Sequence, residues 1–274
     1  VRDAGGRITS MTLAAGKIVT YSYDANDNLI SLQDWAGAMT SFSYDSADRL
    51  ISIGRSNGVN TSHTWNNDSK LIGLAEGTIS TISLTRDANG QITAATRNVP
   101  LSSTSIGIPP GIAHSLDAAS QVASGGFVYD SRGRLTDNGT RTYTWDGASR
   151  LSGTMEGAVT TTYTYDAGGR YTSRTVNGTT QNYVWNDAFN LSSISTERDV
   201  SGADLRYFIR APSGALIYSI DASSGARHFY HFDEMGNTIV ITDDSGAVIG
   251  SYAYTPYGQL IASTGALNNP FTWR

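Results

Sequence analysis

Cysteine is absent from all 274 residues, which excludes a disulfide framework and any thiolate metal or catalytic site. That absence leaves the compartment open. Lysine is nearly absent as well: of 19 basic residues only Lys17 and Lys70 are lysines, leaving 19 − 2 = 17 arginines. Charged residues make up 16% of the chain, below the roughly one quarter typical of globular proteins. Acids outnumber bases, for a net charge of −5. A nucleic-acid or anionic-membrane partner calls for clustered Lys and Arg, so neither is expected. No apolar run approaches the ~18 residues that span a bilayer, and no charged-then-apolar leader opens the chain. Proline, with 6 occurrences, is scarce too.

What is abundant is Ser and Thr, 64 together, beside 29 Gly and 15 Tyr. Polar, Gly-rich chains are often disordered, but aromatics at 10% and at regular positions argue for packed structure. Thr, Tyr and Trp suit a pleated sheet. The expected class is all-β.

The regularity is a repeat. Tyr23-Asp24-Ala25-Asn26-Asp27-Asn28-Leu29 aligns with Tyr44-Asp45-Ser46-Ala47-Asp48-Arg49-Leu50, then with Trp65-Asn66 and Arg86-Asp87 and their followers. The Asp or Asn falls at 3, 24, 45, 66 and 87, a constant period of 21, and returns at Asp130, Asp146, Asp166 and Asn186. Before it, residues alternate, as in Tyr21-Ser22-Tyr23 and Tyr163-Thr164-Tyr165, which sets the aromatics on one strand face. The Asp opens a turn by bonding backbone two residues on. Gly, Asp or Ser three residues later, as at Gly133 and Gly169, relieves its backbone. A second strand follows, as in Arg49-Leu50-Ile51 or Asn190-Leu191-Ser192, and a second turn closes the unit at Asn57-Gly58, Glu76-Gly77, Glu156-Gly157 or Asn177-Gly178. Such a module cannot bury its aromatic face alone, so neighbours must stack on it. About ten modules give roughly twenty strands, more than an open sheet holds without curling or splitting. The expected architecture is a spiralling antiparallel sheet of hairpins forming part of a hollow shell, with a compact sandwich as the alternative.

The period breaks once. Asn98-Val99-Pro100, Ile108-Pro109-Pro110-Gly111 and Ser124-Gly125-Gly126 read as an irregular insertion. The expected division is therefore 1–96 repeat hairpins, 97–126 insertion, 127–200 repeat hairpins and 201–274 divergent repeats.

The Y-D-x-x-G-R-L signature at about twenty-residue spacing resembles the RHS or YD-repeat family. The C-terminal text strengthens the resemblance, being similar to the start of the RHS repeat-associated core: Tyr230-His231-Phe232-Asp233-Glu234-Met235-Gly236-Asn237, Thr242-Asp243-Asp244-Ser245-Gly246, Tyr252-Ala253-Tyr254-Thr255-Pro256-Tyr257-Gly258 and Asn269-Pro270-Phe271-Thr272-Trp273. The resemblance implies a hollow shell wound from a strip of hairpins, enclosing a C-terminal toxin in bacterial toxin systems and serving adhesion in animal teneurins. It implies a secreted or bacterial cell-surface location. Several bacterial members carry a self-cleaving aspartate beyond this stretch. The chain reads as a piece of a longer protein, and no catalytic residue carries over. Asn66 and Asn186 replace the family's Asp and Arg86 its aromatic, changes compatible with a turn.

Other candidates fare worse. Asp24–Asn28 superficially resembles a calcium loop, but Leu29 stands where Gly is needed and Trp35 where the bidentate Glu belongs. His228 and His231, three apart on a strand, point to opposite faces and do not share a metal. Asp233-Glu234 and Asp243-Asp244 lie in turn-like text, so glycosidase chemistry is not expected. Sequons at Asn60, Asn67, Asn138, Asn177 and Asn190 follow from Asn-rich turns. No catalytic, cofactor-binding or metal residue is assigned, because nucleophile, base and stabiliser do not converge. The leading expectation is a non-catalytic shell section whose partners are the rest of its own polypeptide, a C-terminal toxin, and a second copy joined through raw sheet edges. The alternative is a carbohydrate or cell-surface binding module using the aromatic ladder or residues 97–126.

Overall fold

The computed structural model describes residues 1–101, 113–188, 192–255 and 258–272. Pro109, Pro110, Gly111, Asn190, Leu191, Pro256, Tyr257 and Trp273, which the sequence reading used, lie outside the described residues. Among the described residues every element is a strand, and no helix is long and apolar enough to cross a membrane.

The first sheet runs in chain order through β1 (Ser10–Ala14), β2 (Lys17–Tyr23), β3 (Leu29–Gln33), β4 (Met39–Tyr44), β5 (Leu50–Gly54), β6 (Thr61–Trp65), β7 (Leu71–Glu76), β8 (Ser80–Arg86) and β9 (Ile92–Asn98). The second sheet takes up the remainder. It begins with β10 (Phe127–Tyr129), β11 (Leu135–Asn138), β12 (Arg141–Trp145), β13 (Leu151–Glu156), β14 (Val159–Tyr165), β15 (Tyr171–Val176) and β16 (Thr179–Asn186). It continues with β17 (Ser193–Arg198), β18 (Asp204–Arg210), β19 (Leu216–Asp221), β20 (Arg227–Phe232), β21 (Thr238–Thr242), β22 (Val248–Tyr254) and β23 (Leu260–Thr264). Within each sheet consecutive strands are neighbours, so the hairpin meander expected from the repeat is what forms. It divides into two sheets between Asn98 and Phe127, where the text is irregular.

The repeating turn shows why the signature is spaced as it is. Asp146 Oδ1 accepts from the backbone N–H of Ala148 and of Arg150, each at 2.9 Å, and Oδ2 accepts from Arg150 Nε at 2.7 Å. The residue three after the Asp has positive φ: Gly133 and Gly169, but also Asp27, Asp48, Ser69 and Ser149. Only Gly, Asn and Asp visit that region at low cost, and the doubly bonded side-chain oxygen of Asp146 or Asn66 holds Ser149 and Ser69 there. Asn66 satisfies the same two backbone donors, Asp68 and Lys70, through its single amide oxygen. Asp146→Asn keeps the Oδ1 cap but loses the Arg150 Nε bond, so it is expected to lower the urea midpoint slightly, and Asp146→Ala, which loses both, to lower it more. Unfolding curves of the two variants, compared at neutral pH, check that order.

One local feature was missed in the sequence. Ser22 opposes Ser31 while Tyr23 opposes Leu29, which leaves Ile30 as an extra residue; the same slip leaves Ile51 and Thr172 extra. A bulge at each such turn bends the strand and adds right-handed twist.

Two compact units result, and each has its own interior. Of the described residues, the first comprises 1–101, 207–255 and 258–272, the second 113–188 and 192–206. In the first, β2 and β4 alternate exposed and buried residues, whereas β19 and β21 are buried on both faces. Met11, Val19, Tyr21, Leu32 and Phe42 pack there against Ile209, Ile217, Tyr218, Ile220 and Phe229. A second cluster joins Leu74, Ile82 and Leu84 to Ile239 and Val240. The far side of the C-terminal strands is covered by Phe271, whose ring meets Phe208 edge-on at 4.9 Å. In the second unit, Tyr171 makes edge contacts with Tyr183 and Trp185, and Tyr183 is buried.

Candidate functional site

In most repeats the aromatic that precedes the Asp or Asn turns out to be a hydrogen-bond donor to the module before it. Tyr23 Oη donates to the Ile8 carbonyl at 2.8 Å, Tyr44 to Leu29, Trp65 Nε1 to Leu50, Tyr165 to Leu151 and Trp185 to Tyr171. Arg86, which stands where an aromatic stands in most repeats, places Nε 2.9 Å from the Leu71 carbonyl and fills the same role. Arginines reach the other way. Arg150 Nη1 donates to the Asp166 carbonyl and Arg134 Nη1 to that of Asp146, while their guanidinium groups lie over Tyr165 and Trp145 at 4.7 and 5.9 Å. Tyr165 and Trp145 thus have their polar atoms bonded and a face covered by arginine, which ties these rings into the hairpin array.

The first unit also buries charge between its sheets. Asp34 caps the turn after β3 through Oδ1, and its Oδ2 accepts from Arg227 Nε at 2.8 Å and from Tyr218 Oη at 3.2 Å. A second cluster gathers on Glu76 at the end of β7. Its Oε2 accepts from the Thr61 hydroxyl at 2.8 Å and from Arg55 Nη1 at 3.3 Å, and His231 Nδ1 of β20 lies 2.8 Å away. His231 Nε2 is 2.8 Å from Thr242 Oγ1, which accepts from Asn57 Nδ2 at 2.8 Å. Arg55 Nη2 also reaches the Tyr230 carbonyl.

Burial shapes these groups. It pushes the Glu76 carboxyl up, yet the His231 hydrogen bond and the Arg55 charge outweigh it and hold the group below its ordinary value. Burial lowers Arg55, and it lowers His231 in spite of the bond to Glu76. In the second unit, burial raises the Glu197 carboxyl although Arg206 and Arg174 oppose it.

Thr242, His231 and Glu76 have the connectivity of a hydroxyl–imidazole–carboxylate relay. Both His231 and Thr242 are 0% exposed, however, so no substrate reaches the hydroxyl. A pocket of about 530 Å³ lies elsewhere in this unit, lined chiefly by Arg210, Leu216, Phe232, Thr238 and Phe271. Burial depresses Arg210 to about 10, and its guanidinium sits 4.9 Å from the Phe271 ring centre. No acid–base pair faces that space.

The residues weighed from the sequence are placed as follows. Asp24 and Asp233 cap turns, each Oδ1 accepting from the residues two and four ahead. Glu234 pairs with Arg97, and Asp244 with Arg227. His231 joins Glu76 rather than His228. Glu76 had been read only as part of a turn, and its meeting with Arg55 and His231 was missed.

The teneurin YD-shell family model matches residues 55–272 and the RHS-repeat model matches residues 2–39. The chain belongs to the teneurin YD-shell family, within the wider group of RHS-repeat proteins. Among curated proteins, it is 28% identical over 135 residues to the tRNA3(Ser)-specific nuclease WapA of Bacillus spizizenii, and 26% identical over 135 residues to the tRNA nuclease WapA of Bacillus subtilis. Each match takes in 48% of this chain but 6% of the relative's length. Among solved structures, TcdB2-TccC3 without its hypervariable C-terminal region is similar with a TM-score of 0.55 at 12% identity, covering 93% of this chain and 19% of that one. The TcdB2-TccC3 crystal structure gives 0.54 at 12% identity over 91% and 19%. At such identity the likeness is one of fold.

Proposed function

We propose that this chain is a non-catalytic wall section of a secreted or bacterial cell-surface protein, part of a shell that encloses a C-terminal toxin. The observation that carries the reading is the YD-shell family match over residues 55–272. It is supported by a chemistry in which aromatic and arginine side chains are committed to joining modules, and in which the buried relay of Glu76, His231 and Thr242 has no access. The relatives named as nucleases contain this segment as a small fraction of their length, consistent with a nuclease activity carried by other parts of those proteins. The partners in this reading are the flanking repeats of the same polypeptide, which extend the end strands, and a second copy where those edges stay open. Among the described residues β9 is one of the two end strands of the first sheet, and all seven of its residues are exposed. We divide the array into repeats at 1–96, 127–200 and 201–274, with 97–126 as an insertion.

The test uses the full-length protein that contains this chain. Limited proteolysis is expected to spare the C-terminal segment until denaturant opens the wall, and the purified 274-residue chain is expected to leave tRNA intact. Cleavage of the C-terminal segment at the rate of the isolated segment would overturn encapsulation. Turnover of tRNA by this chain would overturn its non-catalytic role.

A further inference from the structure

Within the first unit, one histidine stands in a chain of hydrogen bonds that has a fixed direction. At one end, Asn57 Nδ2 can only donate, and it does so to Thr242 Oγ1 at 2.8 Å and to the Asp243 carbonyl at 2.9 Å. At the other end the Glu76 carboxylate can only accept, 2.8 Å from His231 Nδ1. Between them, His231 Nε2 and Thr242 Oγ1 are 2.8 Å apart. These ends place the imidazole proton on Nδ1. Nε2 then accepts from the Thr242 hydroxyl, whose oxygen accepts from Asn57, and each link is satisfied once.

A second proton on the ring breaks this order. Nε2–H and the Thr242 O–H would point at each other, and the hydroxyl would have to turn away at a residue that is 0% exposed. Nor does the site welcome the charge. The groups facing the ring are Glu76 on β7 and Arg55 beyond β5, and Arg55 Nη1 is already 3.3 Å from the same carboxylate oxygen. His63 on β6 faces that Glu76–Arg55 pair as well, and burial lowers it too.

We propose that the chain Asn57–Thr242–His231–Glu76 is an acid-released latch between the two sheets of the first unit, closed while His231 is neutral and opened by a proton at Nε2. It goes beyond the shell reading and does not depend on it. The direction of the effect follows from linkage. The unfolded imidazole titrates near about pH 6.5, and burial holds the folded one lower. The unfolded chain therefore binds more protons just below that pH. The latch's contribution is complete above about pH 6.5 and is lost as pH falls toward the folded value. Hydrogen bonds from the arginine that follows hold Asp45, Asp130, Asp146 and Asp166 below their ordinary 3.8, and Ser223 and Ser224 hold Asp221 at about 2, so these caps act at more acid pH than the histidine.

Hydrogen–deuterium exchange of the purified chain at pH 7.5 and 5.5, corrected for intrinsic exchange, tests this. Opening constants for β7, β20 and β21 are expected to rise about fivefold or more on acidification, and less than about twofold in His231→Asn, which keeps a donor toward Glu76. His63→Asn is expected to retain the rise. Equal acid response in the natural chain and His231→Asn would overturn the proposal, as would loss of the response in His63→Asn alone. Should His231→Asn fail to fold, long-range proton–nitrogen correlation of the natural chain's histidine rings decides. A neutral ring protonated at Nδ1 at pH 7.5 supports the latch; an Nε2–H tautomer or an imidazolium at that pH sinks it.

Discussion

Glu76→Ala is expected to destabilise the first unit by about 3–5 kcal/mol, the usual cost of removing one partner from a buried ion pair. The side chains of Arg55 and Glu76 are each only 3% exposed, so water does not replace the lost carboxylate. The truncation strands a guanidinium, the Thr61 hydroxyl and the His231 Nδ1–H together, since all three meet at one oxygen. A contrast separates this from simple cavity formation. Combining Glu76→Leu with Arg55→Met removes both charges and is expected to recover a substantial part of the loss, because a buried pair gains little over a well-packed apolar one. Urea unfolding followed through amide exchange in β7 and β20 reads both variants, with the strands of the second unit as an internal reference.

Phe229→Ala should cost a similar amount, about 3–5 kcal/mol, by a different route. Phe229 is 0% exposed and its ring lies 5.0 Å from that of Tyr218, the residue directly across the ladder. Both belong to the cluster in which Leu32 and Phe42 of the first sheet meet Ile217 and Ile220 of the second. Losing the ring leaves a void lined from both layers, which neither sheet can close by shifting alone. Phe229→Leu, which refills most of the volume, is expected to lose markedly less. Thermal and urea midpoints of the two variants, measured together, check the ranking.

The repeat made the hairpins legible because each needs only local information. The Asp, its positive-φ residue and the Arg after it lie within five positions, and the structure closes that turn as the spacing implies. Asn177-Gly178 likewise reads as a tight hairpin, and both residues have positive φ there. The bulges were also present in the text, as an extra residue between Leu29 and Ser31, but strict alternation hid them. Runs such as Tyr207-Phe208-Ile209 and Ile239-Val240-Ile241 lack alternation, and that absence signals strands buried on both faces. The Glu76 cluster carried no such signal. Its glutamate and histidine are 155 residues apart in the chain, and only the stacking of one sheet on another joins them. Arg86 reads in the sequence only as a change compatible with a turn; its Nε bond to Leu71 shows that a long side chain bearing an N–H makes the link that Tyr and Trp make elsewhere.

That backward-reaching donor has a consequence for how such a chain can change in length. In the stretch of constant 21-residue spacing, each module offers a main-chain acceptor to its successor and receives a donor from it. Excising one whole period rejoins equivalent ends, whereas excising a fraction breaks the linkage at the junction. Gene rearrangements that respect the period therefore preserve the link between neighbouring modules, leaving only sheet-to-sheet contacts such as those of Asp34 and Glu76 to be rebuilt.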